Sequence, residues 1–258
     1  MTTPPCEHLK SSIEAFEPRV QNDIQLLNDD HVTEERRPSL LGNVARTARQ
    51  LGFYHALLDD EVTGRSWFET AVEYYRQQHK ADRDTWDAHY PSPALYHGLR
   101  TALLLGSDQH SEQYFCSQLA AADLDAAAAD VQVVLATLAR ELCALLDGGA
   151  TSQTDRERVK RLFERGVHRY DDIDERPLHR AQFACADALA DGDADRVTAL
   201  IEDILEFHRE SVVTGDHQLA TDYYSAEATV WTGLSRRLGI GVSVESRYVP
   251  EAIVEQMA

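Results

Sequence analysis

Apolar residues recur at intervals of three and four along almost the whole chain, and runs in which they alternate singly with polar residues are nearly absent. A spacing near 3.6 belongs to the α-helix and a spacing of 2 to the strand, so this pattern by itself selects an all-α fold. Leu41, Val44, Ala48, Leu51 and Leu58 mark one stripe within residues 39–58, and Trp67, Phe68, Ala71, Val72 and Tyr75 a second, aromatic-rich one within 63–79. Helices are predicted near 7–27, 39–58, 63–79, 93–105, 110–121, 125–146, 155–168, 177–189, 193–213 and 218–238, with a short one after Pro250. Residues 81–90 read as a polar connection, and the alanine-rich 125–146 segment, with the broadest apolar face, reads as a central helix.

The pairing of helices through short Gly and Asp turns suggests an antiparallel bundle or a degenerate tetratricopeptide-like array, although no strict repeat consensus recurs. Asp147-Gly148-Gly149-Ala150-Thr151-Ser152 is the strongest linker signal. The chain is therefore expected to be one helical domain over 1–258, or two lobes meeting near 147–154. After Leu238 the alternating Val242 and Val244 predict a short extended segment.

Charge then limits the partners. Asp and Glu total 44 against 25 Lys and Arg, a formal net charge of -19, and only Lys10, Lys80 and Lys160 are lysines. Such a surface repels phosphate backbones and argues against nucleic acid. Adaptation to a salty, halophilic setting and attraction of a basic partner are both consistent with it. Cys6, Cys116, Cys143 and Cys185 are dispersed, with no C-x-x-C pair, and read as small core residues rather than a disulfide framework or a zinc site. No basic-then-apolar leader and no long apolar run is present, so a cytoplasmic protein away from membranes is expected.

Catalytic templates fail. There is no G-x-S-x-G elbow, no H-E-x-x-H pair, no Walker loop and no Glu-x-x-His pair for a di-metal site. Gly239-Ile240-Gly241 follows a helix and lacks the third glycine of a dinucleotide turn. Neither a catalytic residue, a cofactor nor a metal is expected. His208 lies on the apolar stripe of Val197, Ile201, Ile204 and Leu205, where a buried, hydrogen-bonded histidine is the simpler reading and ligand contact the other. Tyr223 and Tyr224, placed in the helix after Gly215 with His217 and Asp222 nearby, could pack between helices or form an interface. Trp86, in a polar stretch with His89 and Tyr90, is the best exposed anchor. Asp171, Asp172, Asp174 and Glu175 read as a solvated loop, lacking the spacing of a calcium site.

The segment 183–208, FACADALADGDADRVTALIEDILEFH, and the ending 238–254, LGIGVSVESRYVPEAIV, resemble the immunity protein 49 family of bacterial polymorphic toxin systems. The positions that match the family's histidine and its Tyr-x-Pro-like ending are His208, Tyr248 and Pro250, and a looser similarity covers 44–75. The resemblance implies an all-α protein that neutralises a cognate toxin by binding it, with neither catalysis nor a cofactor. The expected contacts are Trp86, His89, Tyr223 and Tyr224. The alternatives are a helical-repeat scaffold of an unrelated pathway and an enzyme with an unrecognised site at His208, His217 and Tyr223.

Overall fold

A computed structural model describes residues 6–28, 32–87, 89–106, 108–149, 152–165, 174–214 and 223–258. Among these residues there are eleven α-helices, one 3₁₀ turn (Leu124–Ala126) and no strand. The helices are α1 (Cys6–Asn28), α2 (Arg37–Leu57), α3 (Glu61–Thr85), α4 (Pro93–Leu104), α5 (Gln109–Ala121), α6 (Asp130–Asp147), α7 (Gln153–Arg165), α8 (Arg176–Asp191), α9 (Ala194–Thr214), α10 (Ala226–Arg237) and α11 (Glu251–Met257). No helix is long and apolar enough to cross a membrane among the described residues.

The helix starts are set by side chains that accept otherwise orphaned N–H groups. Asp60 caps Thr63 at 3.3 Å, Ser92 caps Ala94 at 3.1 Å and Ser225 caps Ala228 at 3.3 Å. Packing then depends on missing side chains as much as on present ones. A Cβ on Gly52 would stand 2.6 Å from the Phe68 ring, and one on Gly64 would stand 2.9 Å from the carbonyl of Gly52, so α2 and α3 approach at a distance only glycine permits. Gly106, at φ +65°, ends α4 against the backbone of Gln256 and Met257.

The core gathers Leu51, Phe53, Phe68, Leu95, Leu99, Leu103 and Phe115, all fully buried. Each such side chain contributes roughly 2 kcal/mol of transfer free energy. Helix α6 sits in the middle as its broad apolar face predicts, touching α4, α5, α7 and α8. Arg156 of α7 reaches both neighbours, pairing with Glu141 of α6 through two 2.6 Å bonds and with Asp187 of α8.

Four boundaries or pairings differ from the sequence reading. Helix α3 runs on through Ala81 to Thr85, because Asp82 is buried there and accepts a hydrogen bond from the Ser92 hydroxyl. Helix α6 begins at Asp130 rather than near 125, where the Gln132 side chain accepts from the amides of Ala128 and Ala129 at 2.8 and 3.1 Å. Helix α10 begins at Ala226, leaving Tyr223 and Tyr224 ahead of it. Cys116 and Cys143 are joined in a disulfide, since α5 and α6 pack side by side and bring Cα atoms 27 residues apart to 5.6 Å. Cys185 is buried and Cys6 exposed, both free. Val242 and Val244 are buried in a segment that belongs to no helix or strand.

Candidate functional site

The corner where α3 hands over to α4 presents the clearest exposed feature. Trp86 is the residue that closes α3, its N–H donating to the Asp82 carbonyl at 2.8 Å. Its indole is 65% exposed and stacks on Tyr90, ring centroids 5.8 Å apart at 19°. Tyr90 is itself buried, and its hydroxyl accepts from the Gln132 side chain of α6. The aromatic pair is thus built on a fixed base, which lowers the entropy lost when the indole is covered.

His89 ties this corner to the α5–α6 connection. Its carbonyl accepts from the Asp123 amide at 2.8 Å, and its Nδ1 donates to the Ala121 carbonyl at 3.1 Å, which places the ring proton on that nitrogen. The connection is pinned from behind by two arginines. Arg140 donates to the carbonyls of Leu119 at 3.0 Å and Ala122 at 2.6 Å and pairs with Asp155 at 2.7 Å. Arg158 holds the Leu124 carbonyl at 2.9 Å and Asp125 at 2.8 Å.

Asp84 and Asp87 flank Trp86 in the chain with exposed carboxylates, and Asp123, whose amide bonds to the His89 carbonyl, adds another. Arg83 turns instead to Gln118, at 3.2 Å. Asp82, beneath them, is buried, and burial raises its pKa against the hydrogen bond from Ser92. An exposed aromatic residue with acidic neighbours, held by buried polar contacts, is suited to a basic protein surface.

Tyr223 and Tyr224 stand elsewhere. Tyr224 is 3% exposed and lies flat on Phe53, ring centroids 3.8 Å apart at 9°. Phe53 in turn meets Phe68 edge-on at 5.2 Å, and Phe68 precedes Trp86 along α3 by roughly 27 Å of helix. Tyr223 is partly buried against the core. The structure therefore brings Trp86 and His89 together, and separates them from the tyrosine pair.

His208, Tyr248 and Pro250 do converge. The rings of His208 and Tyr248 meet edge to face, centroids 4.9 Å apart at 71°. The Tyr248 hydroxyl accepts from Arg247, whose guanidinium lies 4.6 Å over the same ring, and its carbonyl accepts from the Ser225 amide at 2.7 Å. Pro250, buried, caps α11, its carbonyl accepting from Ile253 at 3.1 Å and Val254 at 3.2 Å. These three residues knit α9, the segment after α10 and the start of α10 into one packed end.

The family-model comparison matches residues 97–253 to Immunity protein 49. The chain belongs to the immunity protein 49 family. No curated protein and no solved structure matches it. The family's stretch runs from within α4 to within α11, so it takes in His208, Tyr248 and Pro250 together with the α5–α6 connection, and leaves Trp86 and His89 just ahead of it.

A groove of about 940 Å³ between α5 and α6 is lined by Glu112, Cys116, Arg140, Cys143, Asp155 and Arg237, with Glu112 and Arg237 paired at 2.6 and 2.9 Å. Among the described residues no group of three or more His, Cys, Asp or Glu is placed to hold a metal ion. His217, Asp171 and Asp172 lie outside the described residues, while Asp174 pairs with Arg176. Sequence reasoning missed Asp123, Asp125, Gln132 and Arg140. The only local signal was the Asp123–Asp125 pair beside a breaker-free alanine run, which ordinarily reads as a helix start.

Proposed function

We propose that this family member binds a cognate toxin inside the cell that makes it and neutralises it by occlusion, without catalysis. The contact is centred on Trp86 and His89 and on the carboxylates of Asp84, Asp87 and Asp123. The observation that carries this reading is the indole of Trp86, 65% exposed on a buried tyrosine base within an acidic surround. Exposed, pre-organised aromatic residues are the side chains most often responsible for binding energy, and acidic neighbours speed encounter with a basic partner. Tyr224 is buried against Phe53, away from this corner, so the proposed contact omits it and its neighbour Tyr223.

The test is co-expression of the chain with each open reading frame beside its gene, scored by rescue of growth and by co-purification. Trp86→Ala is expected to weaken the resulting complex by about 2 kcal/mol or more, roughly thirtyfold, while leaving the free protein's melting temperature unchanged. A complex that forms and protects equally well with Trp86→Ala would remove this surface from consideration. Absence of any protective complex would remove the toxin reading itself.

A further inference from the structure

The groove of about 940 Å³ beside α5 and α6 carries a reactive bond in its lining. Cys116 and Cys143, joined to each other, both line it, together with Gln113, Ser117, Ala120 and Ala144. Cys116 is half-buried whereas Cys143 is 9% exposed, so an incoming group meets the α5 side of the bond first. A concavity of this volume is of the size that takes small molecules.

Helix α5 is seated by more than this bond. Phe115 and Leu119 are fully buried, and the Phe115 ring lies where a Cβ on Gly98 of α4 would come within 2.3 Å of it. Glu112 is paired twice with Arg237 of α10. Opening the disulfide therefore leaves α5 in place, but it alters the hold on its end. Residues 116, 119 and 122 follow one face at intervals of three, and α6 grips all of them. Arg140 takes the carbonyls of Leu119 and Ala122, and Cys143, one turn further along α6, takes Cys116. Once the bond is open that grip passes to Arg140, beside the connection whose Asp123 amide meets the His89 carbonyl.

We propose that this groove is a thiol-exchange site, in which a small-molecule thiol attacks Cys116 and opens the disulfide while the chain stays folded. The incoming thiolate forms a new S–S bond with Cys116 Sγ. The Cys116–Cys143 bond breaks, and its electron pair leaves on Cys143, which takes a proton from water. A second thiolate attacks the small molecule's sulfur in the mixed disulfide and releases Cys116 as a thiolate, which is protonated in turn. One protein disulfide is thereby reduced, and two small thiols are oxidised to their disulfide. Cys185 takes no part, being buried with its thiol pushed up to about 12 by that burial. The consequence is a reversible loosening of the α5–α6 connection under the control of thiols. The inference concerns the chemistry of the groove and does not depend on the toxin-binding reading.

The experiment takes the full Cys6→Ser chain in its oxidised form and adds glutathione at neutral pH. Excess alkylating agent stops the reaction and caps the freed cysteine, and mass spectrometry maps the adducts. Glutathione is expected on Cys116 and the alkyl group on Cys143. The opening rate should stay within about twofold as urea is raised toward the unfolding transition, because attack on the folded chain exposes little new surface. Ala120→Trp, one turn from Cys116 on the groove wall, should slow opening about tenfold or more, whereas His110→Trp, exposed on α5 outside the lining, should leave it intact. Glutathione chiefly on Cys143, a rate that climbs with urea as global unfolding does, or an unchanged rate in Ala120→Trp overturns the proposal. Should Ala120→Trp fail to fold, the position of the adduct and the urea dependence decide.

Discussion

Reducing the bond between Cys116 and Cys143 should soften the platform behind Trp86 and lower the stability of the whole chain. The two cysteines are 27 residues apart, and the loop they close contains the connection that carries Asp123 and Asp125. In the chain-entropy model a closure of this length restricts the unfolded state by about 12 cal/mol/K, or about 3.5 kcal/mol at room temperature. Unfolding entropy near 2 cal/mol/K per residue, taken over 258 residues, converts this into a fall in melting temperature of about 6 to 7 °C. The assay is calorimetry of a Cys6→Ser chain with and without a phosphine reductant, alongside a Cys6→Ser, Cys116→Ser, Cys143→Ser chain. The serine chain should melt where the reduced one does and ignore reductant, and amide exchange should accelerate across residues 122–129. Melting temperatures that agree within about 1 °C, with the thiols shown by titration to be fully reduced, would refute the reasoning.

Three further outcomes follow from the geometry. Glu227→Gln leaves the buried Arg100 charge without its carboxylate; because the Glu227 side chain is 28% exposed, the expected loss is about 2 to 3 kcal/mol, below that of a fully enclosed pair, read by urea unfolding. Gly52→Ala would force α2 away from the Phe68 ring and should cost about 1 to 3 kcal/mol in the same assay, whereas Gly241→Ala, with open space around it, should be near neutral. Acid should destabilise the fold well above the carboxylate range. Burial lowers the His79 pKa from 6.5 to about 4 in the folded chain, so the unfolded chain binds the extra proton first and stability falls as pH drops from about 6.5 to about 4. The contribution of His79 is on the order of 3 kcal/mol, and an unfolding free energy that stays flat over this range, or falls as steeply in His79→Gln, would contradict it.

The helical class was legible because it depends only on local spacing, and α1, α4 and α9 stand within a residue or two of their predicted bounds. What local spacing missed is what distant partners decide. Ala81 to Thr85 reads as polar connection, but α3 continues through it because Asp82 has Ser92 to receive. The alanine run before α6 has high helix propensity, yet its amides are taken by Gln132. The exposure of Trp86 was legible, since a large aromatic side chain amid acid and polar residues has no apolar stripe to join. That Tyr224 packs on Phe53 was not legible, because its partner lies far away in sequence. The disulfide and the Arg100–Glu227 pair were hidden for the same reason, each being assembled from separate helices.

The placement of the three tryptophans has a practical outcome. Trp231 is 3% exposed and Trp67 is partly buried against the core, so Trp86 is the most exposed of the three. Its emission should lie to the red of the other two and be the first quenched by acrylamide. A partner that covers the α3–α4 corner would shift that emission to the blue and shield it, leaving the interior signal untouched. The chain thus carries its own optical reporter at the surface in question, and docking can be followed without any label.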